Sequence, residues 1–360
     1  MNRRRVAGVV GLLVGLACAI AAVASGSVAA TTSVSPCRWV SQPMWSPDGT
    51  QIIYYGRRWP APKKHNPIYI LHALCTMGGD GANVQPVRYT ACSGKHCPEA
   101  PGLIAWTQFG ILYQSGGAVF RIVPGNKPQQ IARPSAVSYV TNPAGTRLAA
   151  APYYDSCDTC AGPLTIYSAQ TGAVVGKVGG KKLSNVDPSL SPDGLSVAFG
   201  RFTSNQTGKS LGIWAANTNG SSLRQLVKVG LLPLWSPTSA KVAYLVQGNM
   251  STSLHLVSTA GGKSRTLVPG KVENVFGWSP NGRYVAFAQA GRNGSKLAVV
   301  NVATRKVRTL LRLNFSPTAS WAPDSLHLVV NSLPRNAKCG PTYRVSLTGS
   351  AAAKIASCTS

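Results

Sequence analysis

The chain has 360 residues, of which 36 are Lys or Arg and 9 are Asp or Glu, giving a formal net charge of +27 at pH 7. Its 44% hydrophobic residues, with 37 Gly and 25 Pro, exclude collagen-like and plainly disordered classes and predict a globular protein with a large core. The basic excess belongs to the body of the chain, because residues 1–30 contribute only Arg3, Arg4 and Arg5. We therefore expect a strongly cationic surface.

The first 30 residues have the pattern of an export signal. A basic start is followed by an apolar run over residues 6–23 and by small residues at 25–30. We expect cleavage after Ala29 or Ala30, although the run is close to bilayer-spanning length and could persist as an uncleaved anchor. Residues 31–360 are then expected outside the cytoplasm, as a secreted, periplasmic or cell-surface protein.

An even number of cysteines follows the signal, which in an exported protein indicates disulfides whose pairing the sequence leaves open. We expect Cys157 and Cys160 to form a bridge that tightens a loop, and Cys339 and Cys358 to meet across a hairpin. The eight cysteines are Cys37, Cys75, Cys92, Cys97, Cys157, Cys160, Cys339 and Cys358.

Four residues close in sequence could instead hold zinc. Cys75, Cys92, His96 and Cys97 supply the nitrogen and sulfur ligands that structural zinc prefers. The export signal favours oxidised cysteine pairs over a zinc site.

A turn followed by an apolar strand recurs seven times along the chain. The first copy is Pro-Met-Trp-Ser-Pro-Asp-Gly at residues 43–49, before the strand pattern at 51–55. Equivalent turns lie at residues 105–110, 140–145, 189–194, 234–237, 277–282 and 320–324. In this turn Pro presets φ, Asp or Asn tolerates the third position, and Gly accepts a positive φ at the fourth.

The repeat spacing predicts the fold. Units starting near residues 43, 104, 138, 187, 232, 275 and 318 average about 47 residues, the size of a four-stranded propeller blade. The sixth unit shows four strand patterns in succession, and runs such as 197–199 are apolar at consecutive positions, as expected when both faces of a sheet are covered. We predict an all-β single domain over residues 31–360, a seven-bladed β-propeller of four-stranded blades.

Large aromatic residues stand just before most of these turns. Their repeat spacing favours core wedges between blades over a surface that stacks on carbohydrate. These residues are Trp45, Trp106, Trp235, Trp278 and Trp321.

The Trp-Ser-Pro-Asp-Gly turn followed by a Val/Ile-Ala-Phe strand resembles the WD-repeat-like propeller repeats of the TolB family. The resemblance extends over nearly all of residues 40–358 and implies a periplasmic or extracellular propeller that binds partner proteins. Two departures from that family are a seventh unit and the short segment 31–42 ahead of the propeller, where TolB has a separate domain.

Catalytic patterns are weak in this sequence. Residues 208–212 match G-x-S-x-G, but a blade strand follows where a hydrolase elbow needs a helix. The five histidines are scattered, and a glycosidase would need two converging acids, for which Asp155, Asp158 or Asp187 are only nominal candidates. We predict no catalytic, cofactor-binding or metal-binding residues.

Two insertions break the repeat and are our candidate partner site. Long, basic and aromatic loops on a rigid scaffold commonly carry binding. The candidate binding residues are Arg57, Arg58, Trp59, Lys63, Lys64, Tyr153 and Tyr154.

Together these observations predict an exported, non-catalytic binding or scaffolding protein of the cell envelope, monomeric, with no cofactor. Its expected partners are envelope proteins or anionic wall and lipid polymers, rather than nucleic acid, since no nucleic-acid-binding module is present. The alternative is a propeller enzyme acting on polysaccharide or peptide at the central channel.

Overall fold

A computed structural model describes residues 37, 40–58, 69–93, 102–133, 136–152, 161–203, 208–249, 251–332, 340–349 and 351–357. All of them belong to one compact unit, Ser35–Ser360. The predicted export signal lies outside the described residues. Within the described ranges, no helix has the length and apolar character needed to cross a membrane.

The described residues form seven antiparallel sheets of four strands, and each sheet takes its strands in sequence order. The first three blades contain β1 (Val40–Trp45), β2 (Gln51–Arg58), β3 (Tyr69–Gly78), β4 (Gln85–Ser93), β5 (Gly102–Thr107), β6 (Gly110–Ser115), β7 (Ala118–Ile122), β8 (Gln129–Ala132), β9 (Ala136–Thr141), β10 (Arg147–Pro152), β11 (Leu164–Ser168) and β12 (Val174–Val178). Blades 4 and 5 contain β13 (Leu183–Leu190), β14 (Ser196–Thr203), β15 (Ser210–Asn217), β16 (Arg224–Val227), β17 (Leu231–Trp235), β18 (Lys241–Gln247), β19 (Thr252–Ser258) and β20 (Arg265–Val268). Blades 6 and 7 contain β21 (Val272–Trp278), β22 (Tyr284–Gly291), β23 (Gly294–Asn301), β24 (Val307–Leu313), β25 (Pro317–Trp321), β26 (His327–Ser332), β27 (Thr342–Ser346) and β28 (Ala353–Ala356).

The blades form a closed ring, so the predicted seven-bladed propeller of four-stranded blades is confirmed. Neighbouring blades pack against each other all the way round, and β1 of blade 1 contacts β25 and β26 of blade 7. No strand is exchanged between the first and last blades, because each sheet is made from consecutive strands. Radial closure of this kind protects the sheet edges of an all-β chain.

The hydrophobic core is divided among the blade boundaries. Each of its clusters joins two neighbouring blades; one, for example, combines Ile53 and Leu74 of blade 1 with Ile111 and Tyr113 of blade 2. Burying the apolar surface of each boundary stabilises the ring by roughly 25 cal/mol per Å².

The second strand of each blade shows why consecutive positions are apolar. Ile52 packs toward blade 7 and the adjacent Ile53 toward blade 2, and both are fully buried. Successive side chains of a strand point to opposite faces of the sheet. A strand between two neighbouring blades therefore needs apolar residues at every position.

The repeated turn is held by its own side chains. In blade 4 the Ser191 hydroxyl donates to the Asp193 carboxylate at 2.5 Å and accepts the Ser196 N–H at 2.9 Å. Gly194 has φ +72, as the sequence pattern predicts for the fourth turn position. Hydrogen bonding, chiefly from Ser191, holds the pKa of Asp193 below its ordinary value.

The tryptophans before the turn are mostly core residues, as expected. Trp45, Trp235, Trp278 and Trp321 are each at most 9% exposed, whereas Trp106 is half-buried. The four buried rings therefore fill space between blades.

A disulfide lies where the ring closes. Cys37, just ahead of β1, is bonded to Cys75 of β3, and both are buried in a cluster that includes Ala322 and Val329 of blade 7. The Tyr54 hydroxyl donates to the Cys37 carbonyl oxygen at 3.0 Å. The Cys37–Cys75 disulfide therefore ties the start of the propeller to blade 1 at its boundary with blade 7.

Candidate functional site

Strand order gives the ring two different faces. The turn face carries the turns between first and second strands and between third and fourth strands. The loop face carries the turns between second and third strands and the connections from one blade to the next. Since β2 and β10 both end on the loop face, the two predicted binding insertions leave the propeller on the same side.

The predicted binding residues are only partly placed. Arg57 and Arg58 are the last residues of β2, and their side chains are not described. Trp59, Lys63, Lys64, Tyr153 and Tyr154 lie outside the described residues, as do Cys97, Cys157, Cys160, Cys339 and Cys358.

The first strands of the blades surround a central channel. A cavity of about 610 Å³ at this channel is lined by first-strand residues of blades 1, 2, 3, 6 and 7, among them Met44, Leu103, Trp106 and Phe276. None of its lining residues is Asp, Glu, His, Lys or Arg. These walls can bind an apolar group, but they hold no side chain for acid or base chemistry.

The innermost strands also carry a feature that the sequence analysis missed. In blades 1, 4 and 5 the first strand has a β-bulge at a residue with positive φ, namely Gln42, Asp187 and Leu232. A proline follows each of them in the sequence. The proline, two residues before the end of each strand, was a signal for the bulge, since proline inside a sheet is confined to edges and irregular positions. It gave no signal for the positive φ, because proline favours a negative φ at the residue before it.

Asp187 is the acid of interest in the channel strands. Burial raises the pKa of its carboxyl group above the ordinary value. Within the described part of the chain, its carboxylate has no hydrogen-bond donor or cation as a partner. A carboxyl group with a raised pKa keeps its proton to a higher pH than a turn aspartate such as Asp193, whose pKa is lowered.

The other chemistry weighed in the sequence does not assemble. The Cys37–Cys75 bond removes Cys75 from the possible zinc set, and no group of three or more His, Cys, Asp or Glu among the described residues is arranged to hold a metal ion. His255 packs against Tyr244 with ring centroids 5.6 Å apart, and burial lowers its pKa. Ser210, from the G-x-S-x-G match, begins strand β15.

One buried cation is held without a carboxylate. Arg201 is 5% exposed, donates from Nε to the Asn185 amide oxygen at 3.0 Å, and lies 4.4 Å from the centroid of the Trp214 ring. Burial lowers the pKa of its guanidinium. The ring and the amide replace part of the hydration that the charge loses, so Arg201 ties β14 to β13 and β15.

The described acids, rather than the cations, are distributed unequally between the two faces, since the turn face also has exposed cations such as Lys241, Arg283 and Arg305. The acids in the described turns of the turn face are Asp48, Asp80, Asp193 and Asp324. On the loop face the described acid is Glu273, whose Oε2 accepts a hydrogen bond from Ser295 Oγ at 2.5 Å. The exposed cations described on the loop face are Arg133, Lys181, Lys182, Lys209, Lys228, Lys271, Arg292 and Arg312.

Among the described residues, these cations have no carboxylate within 4.0 Å. Among the described side chains, the salt bridge within 4.0 Å is between His327 and Asp324, 2.6 Å apart on the turn face. No described Lys or Arg pairs with a carboxylate. Within the described ranges, the exposed Lys and Arg are therefore not neutralised by a paired carboxylate.

The fold and the site define a β-propeller with an apolar channel cavity, and the comparisons with known proteins agree at the level of fold. Oligogalacturonate lyase from Vibrio parahaemolyticus is 14% identical over 87% of this chain and 91% of its own, with a TM-score of 0.62. A prolyl endopeptidase is 13% identical with a TM-score of 0.61; the match covers 89% of this chain but 50% of the endopeptidase. TolB from Acinetobacter baumannii is also similar, 13% identical over 83% of this chain and 78% of its own, with a TM-score of 0.49. The propeller fold that the resemblance to TolB-like repeats implies is confirmed by the seven four-stranded sheets of the structure.

Sequence comparison adds a partial match. Residues 215–346, from the end of β15 to the end of β27, match the family described as eukaryotic translation initiation factor eIF2A. No curated protein matches the sequence.

Proposed function

We propose that this protein is an extracytoplasmic, non-catalytic propeller that acts as a binding scaffold for an anionic partner through its loop face. The observation that carries the proposal is that exposed Lys and Arg on that face stand among few described acids: Glu273 is on the loop face, whereas Asp48, Asp80, Asp193 and Asp324 are on the turn face. Unpaired surface charge of one sign attracts and orients an oppositely charged macromolecule over about 10 Å at moderate salt.

The predicted insertions would extend the same surface. Arg57, Arg58, Trp59, Lys63 and Lys64 follow from the end of β2, and Tyr153 and Tyr154 follow from the end of β10, so both groups start from the loop face. Basic and aromatic side chains together suit a partner with anionic groups on an apolar or sugar framework. The partners proposed are therefore envelope proteins with acidic surfaces or anionic wall and lipid polymers.

An extracytoplasmic location is supported by the Cys37–Cys75 bond and by the export-signal pattern of residues 1–30. Structural disulfides form and persist in oxidising compartments. The signal would deliver the chain to such a compartment, and cleavage after Ala29 or Ala30 would release a monomeric propeller.

The test is recovery of partners from envelope extract at low and high salt. A Lys63→Glu, Lys64→Glu variant is compared with a Lys263→Glu, Lys306→Glu variant, which places the same charge change on exposed turn-face residues. We expect partner recovery to fall for the first variant alone and to be lost from the wild type at high salt. Unchanged recovery for the first variant would remove the insertion from the binding surface.

An enzyme acting on polysaccharide or peptide at the channel is the second candidate, and Asp187 is the observation that favours it. Its carboxyl group has a raised pKa on an innermost strand. The similarity to a lyase and an endopeptidase does not decide the matter, since a fold hosts many functions. Turnover of an acidic polysaccharide or a peptide by the wild type, abolished in Asp187→Asn, would establish this candidate over the scaffold.

A further inference from the structure

A cavity on the loop face of blade 6 combines a defined shape with strong positive charge. It has a volume of about 640 Å³ and lies beside the turn between β22 and β23. Its walls come from Lys271, residues 290–296 and residues 312–314. We call it the blade 6 pocket.

Backbone contacts hold these three segments together. The Ala290 N–H donates to the Lys271 carbonyl oxygen at 2.9 Å, which ties the connection between blades 5 and 6 to the end of β22. Ser295 pairs with Leu313 in the ladder between β23 and β24. The pocket is therefore part of the sheet framework.

Gly294 closes the turn against β24. Its φ is +125, and a Cβ at this position would lie 2.3 Å from the Leu313 carbonyl oxygen and 2.9 Å from Asn314 Cα. Only glycine combines that backbone conformation with so close an approach. The Arg292 and Asn293 side chains are consequently presented from a turn that is fixed to the pocket wall.

Four cations line this one pocket: Lys271, Arg292, Lys296 and Arg312. Lys296 on β23 is the register partner of Arg312 on β24. Like charges directly opposite each other across strands destabilise a sheet. No lining residue is acidic, and the carboxylate of Glu273 is already bonded to Ser295.

We propose that the blade 6 pocket binds a ligand with closely spaced phosphate groups. A terminal phosphate group carries more charge at pH 7 than a carboxylate, so two adjacent phosphates match four cations in one cavity, whereas a single carboxylate leaves most of them unneutralised. Arginine supplies paired N–H donors to phosphate oxygens, and lysine supplies a compact point charge. The amides of Asn293 and Asn314 offer further donors in the lining. The inference deepens the proposed function, since the pocket lies on the loop face.

Lys296 and Arg312 repel each other, so removing one of these charges should change the stability of the protein. The pocket can therefore be tested by unfolding measurements without knowing the natural ligand. Lys296→Gln removes one member of the like-charge pair, and Lys306→Gln makes the same change at an exposed turn-face residue of the same blade. Pyrophosphate is the probe, with binding measured by calorimetry and Tm by thermal unfolding at low salt. We expect pyrophosphate to raise the Tm of the wild type and of Lys306→Gln. Lys296→Gln should unfold at an equal or higher Tm without the probe and bind it about tenfold more weakly, the loss of one charge-assisted hydrogen bond.

Two further arms identify the source of the phosphate. Citrate tests closely spaced carboxylates, and vesicles containing phosphatidylglycerol test lipid headgroups. Binding of pyrophosphate in preference to citrate supports the proposal, and vesicle binding that pyrophosphate displaces assigns the phosphate to a lipid. No Tm shift with pyrophosphate, equal binding of citrate, or equal loss in Lys306→Gln overturns it. The contribution of Lys181 and Lys182 to binding an immobilised anionic polymer is measured in a separate experiment. A negative result for the blade 6 pocket therefore does not refute the loop-face proposal.

Discussion

The indole N–H of Trp321 donates to the carbonyl oxygen of Gly277 at 3.2 Å, across the boundary between blades 7 and 6. Trp278 makes the equivalent bond to the Leu234 carbonyl oxygen in blade 5, at 3.0 Å. Two other blades lack this inter-blade bond. Trp235 donates within its own blade, to the Ser239 carbonyl oxygen at 3.3 Å. Trp45, at the closure of the ring, is 7% exposed, and its indole nitrogen has no hydrogen-bond partner among the described residues.

Trp321→Phe removes the indole N–H that donates to Gly277, together with part of the ring system. Trp45→Phe removes the same part of the ring system but breaks no hydrogen bond to a described residue. We expect Trp321→Phe to lose about 1 kcal/mol more free energy of unfolding than Trp45→Phe, the net value of one hydrogen bond plus an orphaned carbonyl. Urea unfolding of both variants checks this. Equal losses would show that the inter-blade bond contributes nothing.

The disulfide is expected to substitute for the missing bond at the ring closure. Cys37 and Cys75 are 38 residues apart in sequence, and chain-entropy arguments predict a loss of roughly 3–4 kcal/mol when such a loop is opened. We predict this loss for Cys37→Ala, Cys75→Ala, measured by unfolding in non-reducing conditions. A reductant should lower the Tm of the wild type by more than that of the double variant, since the bridges expected at Cys157–Cys160 and Cys339–Cys358 are present in both, and equal drops would contradict a contribution from Cys37–Cys75.

Asp187 should destabilise the protein at neutral pH. Folding raises the pKa of Asp187. Its favourable contribution to the free energy of unfolding is therefore fully present below the unfolded pKa of 3.8 and is lost as the pH rises through the folded pKa. Asn tolerates the positive φ at this position, so Asp187→Asn should raise the Tm at pH 7 and give no gain below pH 3.8. A gain that does not change with pH would contradict a charge effect.

Asp193 should behave in the opposite way. Its pKa is lowered, chiefly by the hydrogen bond from Ser191, so its contribution is present above 3.8 and is lost as the pH falls through the folded value. We expect Asp193→Asn to lower the Tm at pH 7, by a small amount because unit six carries Asn281 at the same place, and the difference from wild type to vanish in acid. Tm values measured from pH 7 to pH 2 decide this.

Much of the architecture could be predicted from the sequence because it rests on repetition. Turns such as residues 189–194 have local chemistry that acts within a few residues, and Ile52 and Ile53 reveal by their adjacency that both sides of a strand are covered. Because the turn and strand patterns occur in seven copies, the fold can be predicted even where a single copy is weak.

The pairing of Cys37 with Cys75 and the blade 6 pocket could not be predicted in the same way. Both depend on which strands become neighbours: Lys296 and Arg312 are 16 positions apart in the printed sequence and meet only through the register of β23 and β24. The bulge at Asp187 had a local signal in the following proline, but its unpaired carboxylate depends on the packing of blade 4.

The most direct test of the loop face as a binding surface is the salt concentration that elutes the purified protein from an immobilised anionic polymer. Lys181→Glu, Lys182→Glu changes the connection between blades 3 and 4, and Lys263→Glu, Lys306→Glu changes the turn face by the same charge. We predict elution at distinctly lower salt for the first variant and nearly wild-type elution for the second. Equal shifts for both variants would mean that the polymer responds to net charge alone, which would contradict a loop-face site.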